Sequence, residues 1–175
     1  MSVSETHCAL AIATLLTGWT DTQASARYGT GSRSGRRVTG VAPVAAQRRR
    51  QRVVAVVRAV LRHDYAVLFM QPVGVADTDD AEDTGGGMEP ALLAEYQALI
   101  KQPMDLGRVK ENLEADKSRG WKDKTYVYAE EFAHDVRLVF KNCFLFNPPT
   151  HHIFASGKHL AQKFEEGLCE VLGEA

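Results

Sequence analysis

Cysteine is scarce in this chain: Cys8, Cys143 and Cys169 are the three among 175 residues. An odd number at wide spacing makes neither a disulfide framework nor a CxxC zinc pattern, and it favours a reducing compartment. Long apolar runs are also missing. None reaches the roughly 18 residues that a membrane-spanning helix needs. The longest, Cys8 to Leu16, is interrupted by Thr14. It follows Glu5 and His7 rather than a basic start, so it makes a poor secretory signal. Lysine is absent before Lys101. Residues 1–64 carry ten arginines against three acids, a balance of +7, and residues 65–175 carry eleven Lys and Arg against nineteen acids, a balance of −8. The net charge of −1 conceals this split. It predicts two segments with different roles, or a basic tail on an acidic domain.

With 45% apolar and 25% charged residues, the chain has a globular composition and enough apolar side chains for a real core. Residues 1–43 are the exception. Tyr28-Gly-Thr-Gly-Ser-Arg-Ser-Gly-Arg-Arg37 has no apolar periodicity to offset the entropy of ordering, so a disordered N-terminal segment is expected there, with the folded domain over 44–175. After Pro43 the pattern turns helical. Val53, Val57, Val60 and Leu61 share one face, entered through Arg48-Arg49-Arg50-Gln51-Arg52 and fading near Asp64-Tyr65. Residues 74–90 follow, acidic and irregular around Gly85-Gly86-Gly87, with no room for a packed element. A short helical piece is expected at Leu92–Gln97. Asp105 is placed to cap a helix carrying Leu106, Val109 and Leu113, which Gly120-Trp121 interrupts. The clearest helix carries Phe132, Val136, Val139, Phe140 and Cys143, and Pro148-Pro149 ends it. A last stripe runs Ile153, Gly157, Leu160, Ala161, Phe164, Leu168, Val171. Four amphipathic helices without a convincing strand imply an all-α bundle.

Three stretches then fall in register. Tyr96-Gln-Ala-Leu-Ile-Lys-Gln-Pro-Met-Asp-Leu106, Phe132-Ala-His-Asp-Val-Arg-Leu-Val-Phe140 and Asn142-Cys-Phe-Leu-Phe-Asn-Pro-Pro149 resemble, in order and spacing, the signatures of the bromodomain family, over roughly Val53 to Leu172. The resemblance implies a left-handed four-helix bundle (Z, A, B, C) with a long ZA loop and a short BC loop. Between those loops it implies a site for acetyl-lysine. It assigns Asn147 as the anchoring amide and Tyr96 as the tyrosine acting through a water. It places Phe69, Pro72 and Val73 on the ZA wall, Phe146 beside the anchor, and Ile153 as gatekeeper. The shelf, often Trp-Pro-Phe, reads Val67-Leu68-Phe69, which leaves less flat aromatic surface. Phe146 lacks the hydroxyl of a common tyrosine, and Gln97 replaces a frequent second one.

The chemistry of these residues agrees with that assignment. Acetyl-lysine is a neutral amide on an apolar stem, so a reader needs an apolar slot and one or two fixed polar groups. Such a slot also rejects free lysine, whose ammonium is costly to desolvate unpaired. The resemblance implies a non-catalytic reader of acetylated histone tails or other nuclear proteins. It is expected to be monomeric and nuclear, with no cofactor, catalytic residue or metal ligand. The acidic insert is expected to attract basic tails as a modest steering charge. Two other readings compete. Cys143, His134 and Asp135 suggest thiol chemistry, but nine residues are about 900° of helix, which sets His134 and Cys143 on opposite sides. The arginine-rich N-terminus suggests weak nonspecific contact with nucleic-acid phosphates. His151-His152, adjacent in sequence, are expected to point to different faces and to make a poor metal pair. Gly157 is expected to permit close helix packing.

Overall fold

The computed structural model describes residues 44–74, 88–120 and 123–172. The expectations for residues 1–43 and for the centre of the acidic insert lie outside the described residues. Helix α1 is Val44–Leu61, followed by a 3-10 helix at Asp64–Phe69. Then come α2 (Pro90–Leu99), α3 (Leu106–Ser118), α4 (Ala129–Phe146) and α5 (His152–Leu172). Among the described residues every regular element is helical, and none is long and apolar enough to cross a membrane. The four longer helices form the bundle: α1 packs on α4 and α5, α4 on α5, and α3 on α4.

The stripes read from the sequence are the faces that pack. Phe132, Val136 and Phe140 of α4 are fully buried, with Leu160 and Phe164 of α5, Leu106 and Val109 of α3, and Val57 of α1. Each such side chain contributes about 1.5–3 kcal/mol by leaving water. On α1 the buried face is wider than expected, since Val54 and Val56 join Val53, Val57 and Val60. Helix α1 contacts two neighbours at once, so one narrow stripe does not cover its interface.

Local chemistry sets the ends. Pro90 opens α2, where its missing N–H costs nothing. Asp105 caps α3, its Oδ1 accepting the Arg108 N–H at 2.7 Å. Gly107, in the first turn of α3, is required by close approach: a Cβ there would stand 2.1 Å from the Met70 carbonyl oxygen. Helix α4 runs to Phe146, and Asn147 is its C-cap.

The arginine run proves to lie within α1, and part of it is structural. Arg50 donates through Nε to the Tyr126 carbonyl at 2.9 Å and through a terminal nitrogen to Asp116 Oδ2 at 3.3 Å. Asp116 is buried and also accepts the backbone N–H groups of Thr125 and Tyr126. Arg49 pairs with Glu130 at 3.0 Å. Arg137 of α4 grips the buried Glu165 of α5 through two bonds of 2.6 and 2.7 Å. Cys143 is a buried free thiol.

Candidate functional site

The site is built where the C-terminus of α4 meets the start of α5. Helix α4 cannot continue into Pro148-Pro149, and Asn147 leaves it with extended backbone angles, φ −92° and ψ 135°. Its backbone N–H donates to the Cys143 carbonyl, and its side-chain Nδ2 donates to that same carbonyl at 2.9 Å. The carboxamide is thereby held in one orientation, half-buried. The other polar contact of Nδ2 is Cys143 Sγ at 3.7 Å, a weak acceptor.

Cys143 links the remaining side chains. Its Sγ donates to the Ile153 carbonyl at 3.5 Å, which ties the end of α4 to the first turn of α5. It also lies 2.9 Å from where a Cβ on Gly157 would sit, and the Phe69 ring comes within 3.3 Å of that point. Gly157 therefore does what the sequence suggested: it lets α5 approach α4. Phe69 is buried and meets Phe140 edge-on, ring centroids 5.9 Å apart. Tyr96, on α2, is buried and stands perpendicular to Phe146 of α4 at 5.1 Å. Burial, with the nearby Asp105 and Cys143, pushes the Tyr96 hydroxyl above its ordinary range, so it remains a proton donor. Asn142, one turn before the anchor position, donates to the Gln102 carbonyl at 2.8 Å and fastens the segment ahead of Pro103 to α4.

The structure thus brings Phe69, Asn147 and Ile153 beside Cys143 and stands Tyr96 against Phe146. The other assigned residues lie further out. Val67 and Leu68 are 71% and 44% exposed, and Val73 is also exposed. Pro72 is exposed and lines a shallow polar groove against α3, with Met70, Gln71 and Arg108. Just beyond, Gly74 has a positive φ of 89°, and its Cα faces Leu93 of α2 so closely that a Cβ would come within 2.6 Å.

The bromodomain family profile matches residues 53–159. The chain belongs to the bromodomain family. Bromodomains are acetyl-lysine reader modules and generally carry out no catalysis. In the bromodomain frame α1, α3, α4 and α5 are helices Z, A, B and C, and α2 lies within the ZA loop. Residues 147–151 form the BC loop.

Two side chains with positioning roles, Asn142 and Cys143, lie outside the set that the resemblance assigns to the site. Both stand in the Asn-Cys pair of the third motif, and that pairing was the available signal. The thiol-catalysis reading finds no support in the geometry. Burial pushes the Cys143 thiol up to about 12, so it is not a thiolate near neutrality. His134 is exposed, away from it. The ion pairs of Arg49 and Arg50 likewise remove charge from the arginine run that a phosphate backbone would need.

Proposed function

We propose that this bromodomain reads acetylated lysine on histone tails or other nuclear proteins, as a monomer in the nucleus, and so links acetylation to transcription. Asn147 carries the proposal. One N–H of its carboxamide is held by the Cys143 carbonyl, and its further contact is a weak sulfur acceptor. An acetyl carbonyl is the stronger acceptor and takes that place. Tyr96 adds a donor that reaches the same oxygen through an ordered water. Phe69, Phe146 and Ile153 line the slot for the methyl group, and the exposed Pro72 and Val73 extend that wall along the lysine stem. The exposed Val67 and Leu68 form the outer shelf. An array of acetylated histone peptides with unmodified controls tests this. The reading requires binding that depends on the acetyl group. Equal capture of acetylated and unmodified peptides would overturn it.

A further inference from the structure

Two histidines perform the same task on either flank of the site. His63 precedes the 3-10 helix: its carbonyl accepts the Ala66 N–H at 2.8 Å and its Nδ1 accepts the Tyr65 N–H at 3.2 Å. His151 precedes α5: its carbonyl accepts the Ala155 N–H at 3.2 Å and its Nδ1 accepts the Ile153 N–H at 3.3 Å. Each is an N-cap, a position where Ser, Thr, Asp and Asn are preferred. Each also has a second imidazole against it. His159 of α5 lies 5.0 Å from His63, centroid to centroid, and His152 stacks on His151 at 4.5 Å. The last pair corrects the expectation that adjacent histidines diverge; His151 precedes the helix, so its ring folds back over its neighbour. The 3-10 helix carries Val67, Leu68 and Phe69, and α5 carries Ile153 in its first turn. The two caps therefore hold the starts of both elements that wall the site.

An imidazole nitrogen accepts a hydrogen bond only while it carries no proton; in the imidazolium both nitrogens donate. Protonating either cap turns its acceptor toward an N–H as a second donor. At His151 the added charge also meets the N-terminus of the 21-residue α5, whose dipole opposes it, and at both positions it meets a second imidazole. His63 has Arg62 and Asp64 as chain neighbours, Arg58 a turn back on α1, and Lys158 and Lys163 flanking His159 on α5. On the α3 side of the 3-10 segment, charges of both signs occur: Asp105, Arg108, Lys110, Glu111 and Glu114. Around His151 no acid occurs between Asp135 and Glu165. Lys141 is the nearest charge on α4, and α2 contributes one carboxylate, the exposed Glu95.

We infer that His63 and His151 act as paired neutral-imidazole caps that make acetyl-lysine binding fall on acidification. The inference rests on the reader function proposed above. Proton uptake releases the Tyr65 and Ile153 N–H groups and loosens both walls, while Asn147 and Tyr96 keep their protonation. The test uses a short acetyl-lysine peptide flanked by glycines, with blocked ends and no titrating group, at pH 7.5 and pH 5.5 and constant ionic strength. The wild-type Kd should rise about fivefold on acidification, the scale of a lost cap. The double variant His63→Asn/His151→Asn caps without titrating. It should match wild type at pH 7.5 and weaken by less than about twofold. A pH-independent wild-type Kd, or an equal loss in the double variant, overturns the inference. A second readout needs no ligand: the Tyr65 and Ile153 amide resonances should shift with pH alongside the imidazole signals. Unmoved amides overturn the caps even if no peptide binds. Absence of acetyl-peptide binding at pH 7.5 is instead the failure of the reader function, so the two failures are distinguishable.

Discussion

Burial pushes the Cys143 thiol up to about 12, well above the ordinary range of a thiol. In the unfolded chain this thiol ionises first as pH rises; the folded chain keeps its proton until about pH 12. Between those values the folded state binds more protons, so stability is full below pH 9 and is lost as pH climbs, by up to about 1.4 kcal/mol per pH unit. Thermal melts from pH 8 to 11 should fall less steeply for Cys143→Ala than for wild type. Parallel curves would mean that the thiol is wetter than its surroundings imply. Gly157 gives a second residue-scale prediction. A helical Gly→Ala change ordinarily gains about 1 kcal/mol. Here the new methyl would sit 2.9 Å from Cys143 Sγ and 3.3 Å from the Phe69 ring. Gly157→Ala should therefore destabilise by about 1–3 kcal/mol, and adding Cys143→Ala should recover part of the loss in a double-mutant cycle of denaturant melts. At this scale the sequence was most informative where motifs fix a position, as at Asn147, Tyr96 and Asp105. It was silent on Asp116, which joins Arg50, 66 residues away, to the backbone of Thr125 and Tyr126 just beyond its own helix.

Between elements, the contact that hydropathy could not show is Arg137 with Glu165. The stripe Leu160, Ala161, Phe164, Leu168 identified the inner face of α5, yet Glu165 sits at the edge of that face and is only 2% exposed. A carboxylate at that edge reads as solvated until its partner is known, and the partner is 28 residues away on α4. The Arg137 guanidinium also lies 6.0 Å from the centre of the Phe164 ring. Removing one member leaves a buried charge unpaired. Glu165→Leu alone should cost about 3–5 kcal/mol, whereas Arg137→Met with Glu165→Leu should return close to wild-type stability. Urea melts of the two variants decide it: equal losses would show that the pair contributes more than its own burial cost. The 3-10 helix was also illegible. Asp64 to Phe69 lacks the repeat of a longer helix, and its cap is a histidine rather than one of the usual residues.

For the whole molecule, four periodic stripes sufficed to announce four packed helices, because a bundle writes its core into the sequence at helical spacing. The first and third motifs meet where Tyr96 stands against Phe146, the end of the bundle at which the reader site is proposed. The arginine-rich first third was harder to read. Its charge suggested a polyanion partner, but Arg49 and Arg50 belong to the packing of α1 against the α3–α4 connection and α4. The central claim is that Asn147 holds the acetyl carbonyl. Calorimetry of wild type and Asn147→Ala against one acetylated histone peptide tests it most directly, with the variant first shown folded by circular dichroism. The account predicts that the substitution costs about 1–3 kcal/mol, enough to erase a weak interaction, while the helical signal stays unchanged. An unchanged affinity in the folded variant would contradict it.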